Sequence, residues 1–382
     1  MAKPQEGFDF IIIGNGLAGF QLALKMAADS YFDSKTIALI DPSKKNDNDK
    51  SWSFWEKGSG QWESIVFKSW NKVQVITSEK FLNLHLSPYI YKTIRSIDFY
   101  DHAKAILTKK TNFKFILEEV LNVEDAQTPK VNTKSNSYLA SHVFDSRIPD
   151  VFYTKEKNVI TIKQHFKGIF IKTDKAVFDS SKLTMMDYRL KHGEQTTFTY
   201  VLPFSENEAL VEFTYFTENL VSETTYDQYI EKYLSEILNV SDYVITETES
   251  GIIPMSTFPF ENFSTKAVTK IGTGGGWVKP STGYSFKHTE KKVAFVINNI
   301  KNGNAPSANL FCGKYKFYDK VFLKVLKDEN HKGEWIFGQF YNKNSIQDMF
   351  RFLDEESTFP EELKIMFSLF SWSFIKGFFK TL

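Results

Sequence analysis

The stretch DFIIIGNGLAGFQ, residues 9–21, decides the fold because it joins a short apolar run to a glycine-spaced turn. The apolar residues 8–13 are typical of a buried strand, and the periodicity from Leu17 to Ala28 predicts a helix directly after it. The glycines of the turn follow the spacing G-x-G-x-x-G, at Gly14, Gly16 and Gly19. Such glycines permit a tight turn, close approach of a pyrophosphate to bare backbone, and close packing of helix on strand. The stretch therefore predicts a dinucleotide-binding turn at a helix N-terminus.

A second strand and a terminal acid follow where a βαβ unit requires them. The segment TIALID, residues 36–41, predicts this strand and places Asp41 at its carboxyl end, 22 residues after Gly19. A carboxylate at this position is expected to accept both ribose hydroxyls of a dinucleotide. The alternative is a chance glycine turn that binds no ligand, and the spacing by itself does not distinguish NAD from FAD.

A second glycine-rich stretch, IGTGGGWVKPSTGYSF at residues 271–286, distinguishes between NAD and FAD as the predicted cofactor. A strand-like run leads into it, and its pattern predicts a helix from Tyr284 onward. FAD is long enough that its isoalloxazine end also needs backbone amides at a second helix N-terminus. We therefore predict FAD, held at this end by Gly274, Gly275, Gly276, Pro280, Thr282 and Gly283. An ordinary flexible loop is the alternative.

The middle of the chain predicts sheet structure and a turn back toward the cofactor. The extended run ASHVFDSRIPD, residues 140–150, turns at Asp145, which we place among the cofactor-binding residues. Strand-length segments alternate with turns from residue 161 to residue 216, and this pattern predicts an antiparallel sheet under an apolar site. After about Gly303, apolar residues recur with helical spacing.

Together these patterns predict an α/β (α+β) protein with a Rossmann-like FAD-binding part, an antiparallel β-sheet substrate region and a helical C-terminal part. The predicted FAD-binding domain is discontinuous and comprises residues 8–45, 95–150 and 265–300. The predicted substrate-binding region comprises residues 46–94 and 151–264, and the helical region comprises residues 301–382.

Composition excludes several classes of protein. The 382 residues include 47 Lys and Arg against 46 Asp and Glu, so no overall charge attracts nucleic acid. The single cysteine, Cys312, excludes an internal disulfide framework and fits a reducing cytosol. The seven histidines show no metal-ligand spacing, so no metal is predicted. No stretch is typical of a signal peptide or a transmembrane helix, and we expect a cytoplasmic protein.

The motifs, taken in order, resemble those of the flavin-dependent lycopene cyclases, in particular the bacterial β-cyclases. The resemblance runs from about residue 8 to residue 290 and begins with the glycine turn. The later motifs are DKSWSFW (49–55), FDSR (144–147), QHFKGIFI (164–171), MMDYR (185–189), LVEFTYF (210–216), ESGIIPM (249–255) and GGGWVKPSTGY (274–284). The remainder of the chain carries less of this signature.

The resemblance implies conversion of the acyclic ψ-ends of lycopene to β-rings, which gives γ-carotene and β-carotene without net redox change. It also implies reduced FAD as a cofactor, with NAD(P)H as the electron source. In the implied scheme a carboxylic acid protonates the terminal double bond, the next double bond attacks the cation, and loss of a ring proton completes the ring. Such a cation needs nearby negative charge or aromatic faces, and water must be excluded.

Glu212 in LVEFTYF matches the family's essential acid by this resemblance. It has apolar neighbours on its strand, so burial would raise its pKa and keep it a proton donor. A solvent-facing acid on the polar side of an amphipathic strand is the alternative. Many relatives carry a second acid directly after this glutamate, whereas Phe213 stands here, which puts the role of that second acid in doubt.

Five further positions complete the predicted site. Glu249 in ESGIIPM is a second catalytic candidate that could position Glu212 or the flavin, or it is a surface acid before a turn. The resemblance places Asp49 and Trp52 near cofactor and substrate. Phe213 and Tyr215, beside Glu212, are predicted to line the substrate pocket.

A hydrocarbon substrate dissolved in a membrane implies peripheral membrane contact. The segment KIMFSLFSWSFIKGFFKTL, residues 364–382, suits a helix lying in the membrane interface, and a helix packed on the body of the protein is the alternative. The alternative function is an FAD-dependent oxidoreductase, a hydroxylase or a prenyl reductase, acting on an apolar isoprenoid. A flavin-holding protein without catalysis is a third possibility, and the tryptophan motif of halogenases, W-x-W-x-I-P, is absent at Trp52.

Overall fold

The computed structural model describes residues 6–154 and 158–381, and within these residues the chain forms three sheets and nine α-helices. Residues 155–157 of the predicted substrate region and residue 382 of the predicted helical region lie outside the described residues. Residues 1–5, on which the expectation about a signal peptide partly rests, also lie outside them.

The first sheet has the strand order β8-β2-β1-β11-β10-β9, with β17 beside β11. Its strands are β1 (Glu6–Ile13), β2 (Ile37–Asp41), β8 (Phe113–Leu117), β9 (Val120–Glu124), β10 (Lys130–Thr133), β11 (Ser137–Asp145) and β17 (Val268–Lys270). Five of them run parallel, so their carboxyl ends meet at one edge of the sheet. Ile12 faces one apolar cluster, whereas Ile11 and Ile13 face another. Burial on both faces explains the uninterrupted apolar run in β1.

The helices are α1 (Leu17–Ala27), α2 (Ser96–Leu107), α3 (Glu223–Lys232), α4 (Phe286–Lys301), α5 (Gly313–Asp328), α6 (Gly333–Lys343), α7 (Ile346–Leu353), α8 (Phe359–Ser368) and α9 (Trp372–Thr381). α1 packs between α2 and α4 on one face of the first sheet. The predicted helix after the first glycine turn is present and ends one residue earlier, and the helix expected from Tyr284 begins at Phe286.

The second sheet has the order β16-β12-β15-β14-β13-β5-β6. Its strands are β5 (Lys72–Ile76), β6 (Phe81–His85), β12 (Thr161–Lys172), β13 (Leu183–Asp187), β14 (Thr197–Pro203), β15 (Glu208–Thr217) and β16 (Val244–Ser256). All neighbouring pairs are antiparallel except β5 and β13. A third sheet, of order β3-β7-β4, contains β3 (Ser51–Lys57), β4 (Lys68–Trp70) and β7 (Tyr89–Arg95).

The C-terminal helices belong to the core of the second sheet. Leu202 and Leu210 of this sheet share one buried apolar cluster with Leu323, Phe337 and Ile365 of the helices. The opposite face of the sheet packs against α3 in a separate cluster. The predicted α/β class with an antiparallel sheet and a helical C-terminal part is therefore confirmed, whereas the division into domains stays a prediction.

Candidate active site

A cavity of about 610 Å³, called the main cavity below, joins the first sheet to the second. Its lining begins at the glycine turn after β1, continues over one face of β12, β14, β15 and β16, and ends at α6. Parallel strands present their carboxyl ends to this space, which is where open α/β sheets bind ligands. The cavity therefore connects the predicted cofactor site with the predicted substrate site.

The first glycine turn lines the main cavity and packs so closely on its surroundings that two of its positions require glycine. A Cβ on Gly19 would lie 1.9 Å from the carbonyl oxygen of Gly14, and one on Gly14 would lie 2.1 Å from Oγ of Ser146. Gly14 also has φ +96°, a conformation that favours glycine. Gly16 caps α1 without a side-chain hydrogen bond, so the first amides of the helix remain available to an anion.

Asp41 supports this turn. Its Oδ2 accepts the backbone N–H of Asn15 at 2.7 Å, and its Oδ1 accepts the N–H of Ser43 at 2.7 Å. Lys45 lies 3.6 Å from the same carboxylate. The carboxylate thus holds the glycine turn in place, and contact with a ribose stays a prediction.

Asp145 ends β11 beside the cavity, but cations of the chain surround its carboxylate. Arg147 donates to both carboxylate oxygens at 2.9 Å, and Lys270 donates to Oδ2 at 2.8 Å. Burial opposes ionisation, yet these hydrogen bonds and charges hold the pKa of Asp145 below its usual value. Its neighbour Ser146 lines the main cavity. Asp145 therefore fixes the end of the strand, and a direct contact with the cofactor stays a prediction.

The second glycine stretch reaches the main cavity through residues other than its three consecutive glycines. A Cβ on Gly274 would lie 2.3 Å from the carbonyl oxygen of Arg147, and one on Gly275 would lie 2.4 Å from that of Lys270. These two glycines serve close backbone packing and do not line the main cavity, so a contact with the cofactor stays a prediction. Gly276 and Pro280 line a second cavity instead. The residues of this stretch that line the main cavity are Gly272, Thr273, Trp277, Val278, Thr282, Gly283, Tyr284, Ser285 and Phe286.

Two buried carboxylic acids lie in one row across the floor of the main cavity. Gly168 of β12 pairs with Glu212 of β15 on one side and with Glu249 of β16 on the other. All three strands present these residues to the same face, because directly paired residues point the same way. Gly168 has no side chain, and a Cβ there would lie 2.8 Å from Cδ1 of Leu210. Gly168 therefore leaves a notch in the row, which the side chain of Leu210 fills, with an acid at either side.

Burial makes both acids weak. Burial, followed by the negative charge of Glu249, raises the pKa of Glu212 to about 8, although Thr214 donates a hydrogen bond to its Oε1 at 2.5 Å. Burial also raises the pKa of Glu249 to about 7, although Ser51 donates to its Oε2 at 2.9 Å. Raised values of this kind favour a protonated carboxyl near neutral pH, which can act as a general acid.

Phe213 and Tyr215 lie on the opposite face of the second sheet, so the prediction that they line the substrate pocket is wrong. Phe213 stacks on Tyr229, and the hydroxyl of Tyr215 is 3.0 Å from Nδ1 of His192. Both belong to the apolar cluster under α3. Successive side chains of a strand point to opposite faces, so the neighbours of a cavity-facing Glu212 must face away from the cavity.

Trp52 and Asp49 have different surroundings. Trp52 lines the main cavity and packs edge-on against Phe99 and Tyr100. Asp49 lies on the loop before β3, where it accepts a hydrogen bond from the hydroxyl of Tyr100 at 3.0 Å and pairs with Lys50 at 3.0 Å. Its side chain is 41% exposed, whereas Lys50 lines the cavity. The structure thus brings Trp52 to the site and leaves Asp49 at its edge.

Aromatic residues that the sequence did not single out enclose the acid end of the cavity. The hydroxyl of Tyr91 lies 2.9 Å from that of Tyr200 and 3.2 Å from that of Tyr284. Tyr200 pairs directly with Glu212 across β14 and β15. Helix α6 supplies another wall through Phe337, Phe340 and Tyr341. Helical periodicity indicated a buried face for this segment, but no local signal connected it with a site 125 residues earlier in the chain.

Two buried polar atoms on the cavity lining have no hydrogen-bond partner among the described residues. They are Oε1 of Gln164, on β12, and Nε1 of Trp277, in the second glycine stretch. Oε1 of Gln164 would lie 2.1 Å from a Cβ on Gly283, whose φ is +75°. Buried polar groups are nearly always hydrogen-bonded, so these atoms indicate a ligand that donates to one and accepts from the other. The polar edge of a flavin ring carries both kinds of group, and FAD therefore fits this lining.

The C-terminal helices expose a row of aromatic residues, called the C-terminal aromatic patch below: Phe367, Phe370, Trp372 and Phe379. Beneath it, Gly377 of α9 packs against Val325 of α5, so this helix also lies on the body of the protein. No helix in residues 6–154 and 158–381 combines the length and the hydropathy needed to cross a membrane. The same residues contain no group of three or more metal-ligating side chains.

Comparison with known proteins identifies relatives of the chain. Chloroplastic lycopene β-cyclases of Arabidopsis thaliana and Nicotiana tabacum are 26% and 24% identical to it over 347 and 331 residues. The aligned parts cover 84% and 78% of this chain but only 64% and 62% of those proteins. A chloroplastic neoxanthin synthase of Solanum tuberosum is 25% identical over 316 residues, which are 74% of this chain and 59% of that protein. The chain thus spans less than two thirds of the length of these relatives.

Solved structures with a similar fold are flavin-dependent or related enzymes. A flavin-dependent brominase matches with TM-score 0.63 and 14% identity over 91% of this chain and 93% of that chain. A geranylgeranyl bacteriochlorophyll reductase-like protein of Thermoplasma acidophilum matches with TM-score 0.63 and 12% identity over 99% and 100%. A halogenase in complex with phloroglucinol and FAD matches with TM-score 0.62 and 11% identity over 98% and 90%. These likenesses confirm the prediction of a Rossmann-like flavoprotein fold.

The family assignment rests on the sequence as a whole. The family model described as lycopene cyclase protein matches residues 9–377, which is nearly the entire chain. This match confirms the resemblance that the eight motifs indicated. The chain therefore belongs to the lycopene cyclase family.

Proposed function

We propose that this protein is a lycopene β-cyclase, which converts the acyclic ψ-ends of lycopene to β-rings. The observation that carries the proposal is Glu212, a buried carboxyl with raised pKa in a largely apolar cavity that begins at a dinucleotide-binding turn. The named relatives, two chloroplastic lycopene β-cyclases, support this choice of substrate. Cyclisation of a polyene is an isomerisation, so an acid in a dry cavity supplies its central chemical requirement.

Glu212 is the proton donor in this proposal. Thr214 donates its hydroxyl hydrogen to Oε1, which leaves Oε2 to carry the carboxyl proton. Protonation of the terminal double bond creates a tertiary cation, which the neighbouring double bond attacks to close the ring. Loss of a ring proton then completes the β-ring, so no atoms are gained or lost overall.

Glu249 acts as a positioning residue. It faces Glu212 across the notch at Gly168, and its negative charge is the second largest cause of the raised pKa of Glu212. Ser51 donates to Glu249 from β3, so the third sheet fixes the orientation of this carboxyl. The arrangement keeps Glu212 protonated at neutral pH, and Glu212 itself lines the main cavity, where the end of the polyene would reach it.

The walls near Glu212 suit a cationic intermediate. The hydroxyl of Tyr91 hydrogen-bonds to the hydroxyls of Tyr200 and Tyr284, which fixes the orientation of the three rings. The aromatic faces can stabilise positive charge by about 0.5–2 kcal/mol each. Phe337 and Phe340 of α6 close the apolar side, where water would otherwise trap the cation as an alcohol.

FAD is the proposed cofactor. The glycine turn at Gly14, Gly16 and Gly19 would hold its pyrophosphate, and the residues around Thr282 and Gly283 would hold its ring system. When bound in reduced form, the flavin supplies negative charge beside the developing cation. NAD(P)H is the proposed source of electrons for reduction.

Peripheral contact with the cytoplasmic membrane is the proposed route to the substrate. The C-terminal aromatic patch is flanked by Lys364, Lys376 and Lys380, a composition that suits the interface of an anionic bilayer. Replacement of Phe367, Phe370, Trp372 and Phe379 by serine should reduce flotation with anionic vesicles and leave flavin binding unchanged. Undiminished flotation would contradict this route.

The decisive experiment is expression of the full chain in a bacterial host that accumulates lycopene, followed by chromatography and mass spectrometry of the pigments. The proposal expects γ-carotene and β-carotene, both with the mass of lycopene. A product heavier by oxygen would indicate a hydroxylase, and one heavier by hydrogen would indicate a prenyl reductase. Unchanged lycopene in the presence of folded, flavin-loaded protein would contradict the proposal.

A further inference from the structure

A second cavity, of about 290 Å³, lies on the far side of the second glycine stretch, between this stretch, α4 and α5. It shares Pro254, Thr273, Trp277 and Val278 with the main cavity, so these residues form a common wall. Most of its surface is apolar, and four phenylalanines contribute to it, namely Phe258, Phe260, Phe311 and Phe317. The proposed cyclisation uses none of these residues.

Lys292 of α4 places an ammonium group in this second cavity. The residue is 8% exposed, and its Nζ donates to the carbonyl oxygen of Leu310 at 2.7 Å. Nζ also lies 4.1 Å from the ring centroid of Phe311. Within residues 6–154 and 158–381 no carboxylate forms an ion pair with it. An ammonium has three N–H donors; one bonds to Leu310 and another side faces the ring of Phe311, so at least one donor remains available to a ligand.

The other charged groups on the lining largely satisfy one another. Lys279 pairs with Asp319 at 2.9 Å and with Glu355 at 3.1 Å, and Lys316 pairs with Glu261. Four lysines and three carboxylates line the cavity, which leaves one positive charge in excess. The fourth lysine, Lys320, donates to the carbonyl oxygen of Thr381 at the more exposed side.

The surroundings of Lys292 do not compensate for its burial. Burial lowers the pKa of Lys292 to about 8. Glu355 and Glu261 favour the charged form, whereas Lys279 and Lys291 oppose it, so the neighbouring charges largely cancel. Buried charges are normally paired, and a buried ammonium with no counter-ion at the wall of an apolar cavity indicates a missing anion.

We infer that the second cavity binds an amphiphilic monocarboxylate, such as a fatty acid, with the carboxylate on Lys292 and the tail among the four phenylalanines. A single excess positive charge matches a carboxylate better than a doubly charged phosphate monoester. The common wall at Trp277 places such a ligand next to the main cavity. This inference concerns binding alone and stands or falls separately from cyclisation.

The test is a titration of decanoate and 1-decanol into the flavin-loaded full chain by calorimetry. Wild type should bind decanoate, and Lys292→Met should weaken this binding by about tenfold or more, because a charge-assisted hydrogen bond is lost. Binding of 1-decanol should change little in the same variant. The matched control is Lys301→Met on the same helix, which removes an ammonium paired with Asp29 outside the cavity and should leave decanoate binding nearly unchanged.

Two results would overturn the inference: equal decanoate affinity in wild type and Lys292→Met, or no saturable decanoate binding below about 1 mM, the range of weak specific ligands. Flavin retention reports whether the variant is folded. Should Lys292→Met lose its flavin, Phe317→Asp replaces it, because this partly exposed position lies on the proposed tail path. That change should weaken both decanoate and 1-decanol, and unchanged affinities would likewise contradict the inference.

Discussion

The two ends of the main cavity are built differently. At the cofactor end the backbone forms the surface, and one continuous stretch, residues 9–21, supplies strand, turn and helix. At the acid end side chains form the surface, and they come from β3, β12, β15, β16 and α6, which are far apart in the chain. The comparison teaches that a substitution at the cofactor end acts by filling space that the backbone needs. A substitution at the acid end acts by changing the charge and the solvation of the carboxyl groups.

The largest effect is expected at the acid end. Glu212→Gln keeps the shape of the side chain but removes its proton-donating form, and general acid catalysis contributes about 10²–10⁴-fold to rate. We expect pigment conversion to fall by this order while flavin stays bound, as measured by product chromatography and flavin absorbance. Glu208→Gln is the matched control, because this acid lies on the same strand and pairs with Lys172 near the surface. Full activity in Glu212→Gln would contradict the assignment of the acid.

The same variant should change stability in a predictable direction. Burial raises the pKa of Glu212 from 4.5 to about 8, so the folded chain binds this proton more tightly than the unfolded chain. Wild type therefore loses stability from this group as pH rises from about 4.5 to about 8. Glu212→Gln has no such titrating group and therefore does not lose this stability. Between pH 5 and pH 9, its melting temperature should fall less than that of wild type.

The next largest effect is expected at the cofactor end. In Gly19→Ala the added Cβ would lie 1.9 Å from the carbonyl oxygen of Gly14, so the turn must move. We expect a loss of about 1–3 kcal/mol in stability, together with loss of bound flavin, measured by thermal unfolding and absorbance. Gly7→Ala on the preceding strand β1 meets nothing within 4 Å and is the control. Normal flavin binding in Gly19→Ala would contradict the difference drawn between the two ends of the cavity, because the turn would then tolerate a side chain.

A smaller effect on activity is expected from Glu249 than from Glu212. Glu249→Gln removes a negative charge that raises the pKa of Glu212, so the pKa of Glu212 should fall. Because the protonated form is the active one, activity should be lost at a lower pH than in wild type as pH rises. Turnover at pH 7 should fall by less than about tenfold, since the donor itself remains. Glu247→Gln, beside Arg95, is the control. An unchanged pH profile would remove Glu249 from the mechanism.

The smallest effect is expected on FAD binding, from the side chain of Gln164. Oε1 of Gln164 has no partner among the described residues, and we expect it to accept a hydrogen bond from the flavin. Gln164→Met should weaken FAD binding by about three- to tenfold, the value of one hydrogen bond, as measured by flavin fluorescence. Gln74→Met, whose amide bonds to Asn83 in the same sheet, is the control. Equal FAD affinity in both variants would exclude this contact.

The sequence predicted much of the site because strong local rules apply there. Glycine spacing, an apolar strand and a helical period need only neighbouring residues, and they located β1, the turn and α1 within a few residues. Phe213 and Tyr215 were misplaced because adjacency in sequence was taken for adjacency in space, although strand side chains alternate. For Gly274 and Gly275 the sequence could not distinguish the two uses of glycine, because glycine serves close packing of backbone as readily as approach to a ligand.

By itself the sequence determined the α/β class and the glycine turn between β1 and α1, since each depends on the order of residues along a short segment, whereas the choice of the acid at position 212 came from the family resemblance. Only the tertiary structure decided that Glu249 shares a notch with Glu212, that α6 closes the acid end, and that Lys292 lies buried without a carboxylate partner among the described residues. These features depend on which distant segments pack together. Burial and electrostatic coupling arise only from that packing, so no local pattern encodes them.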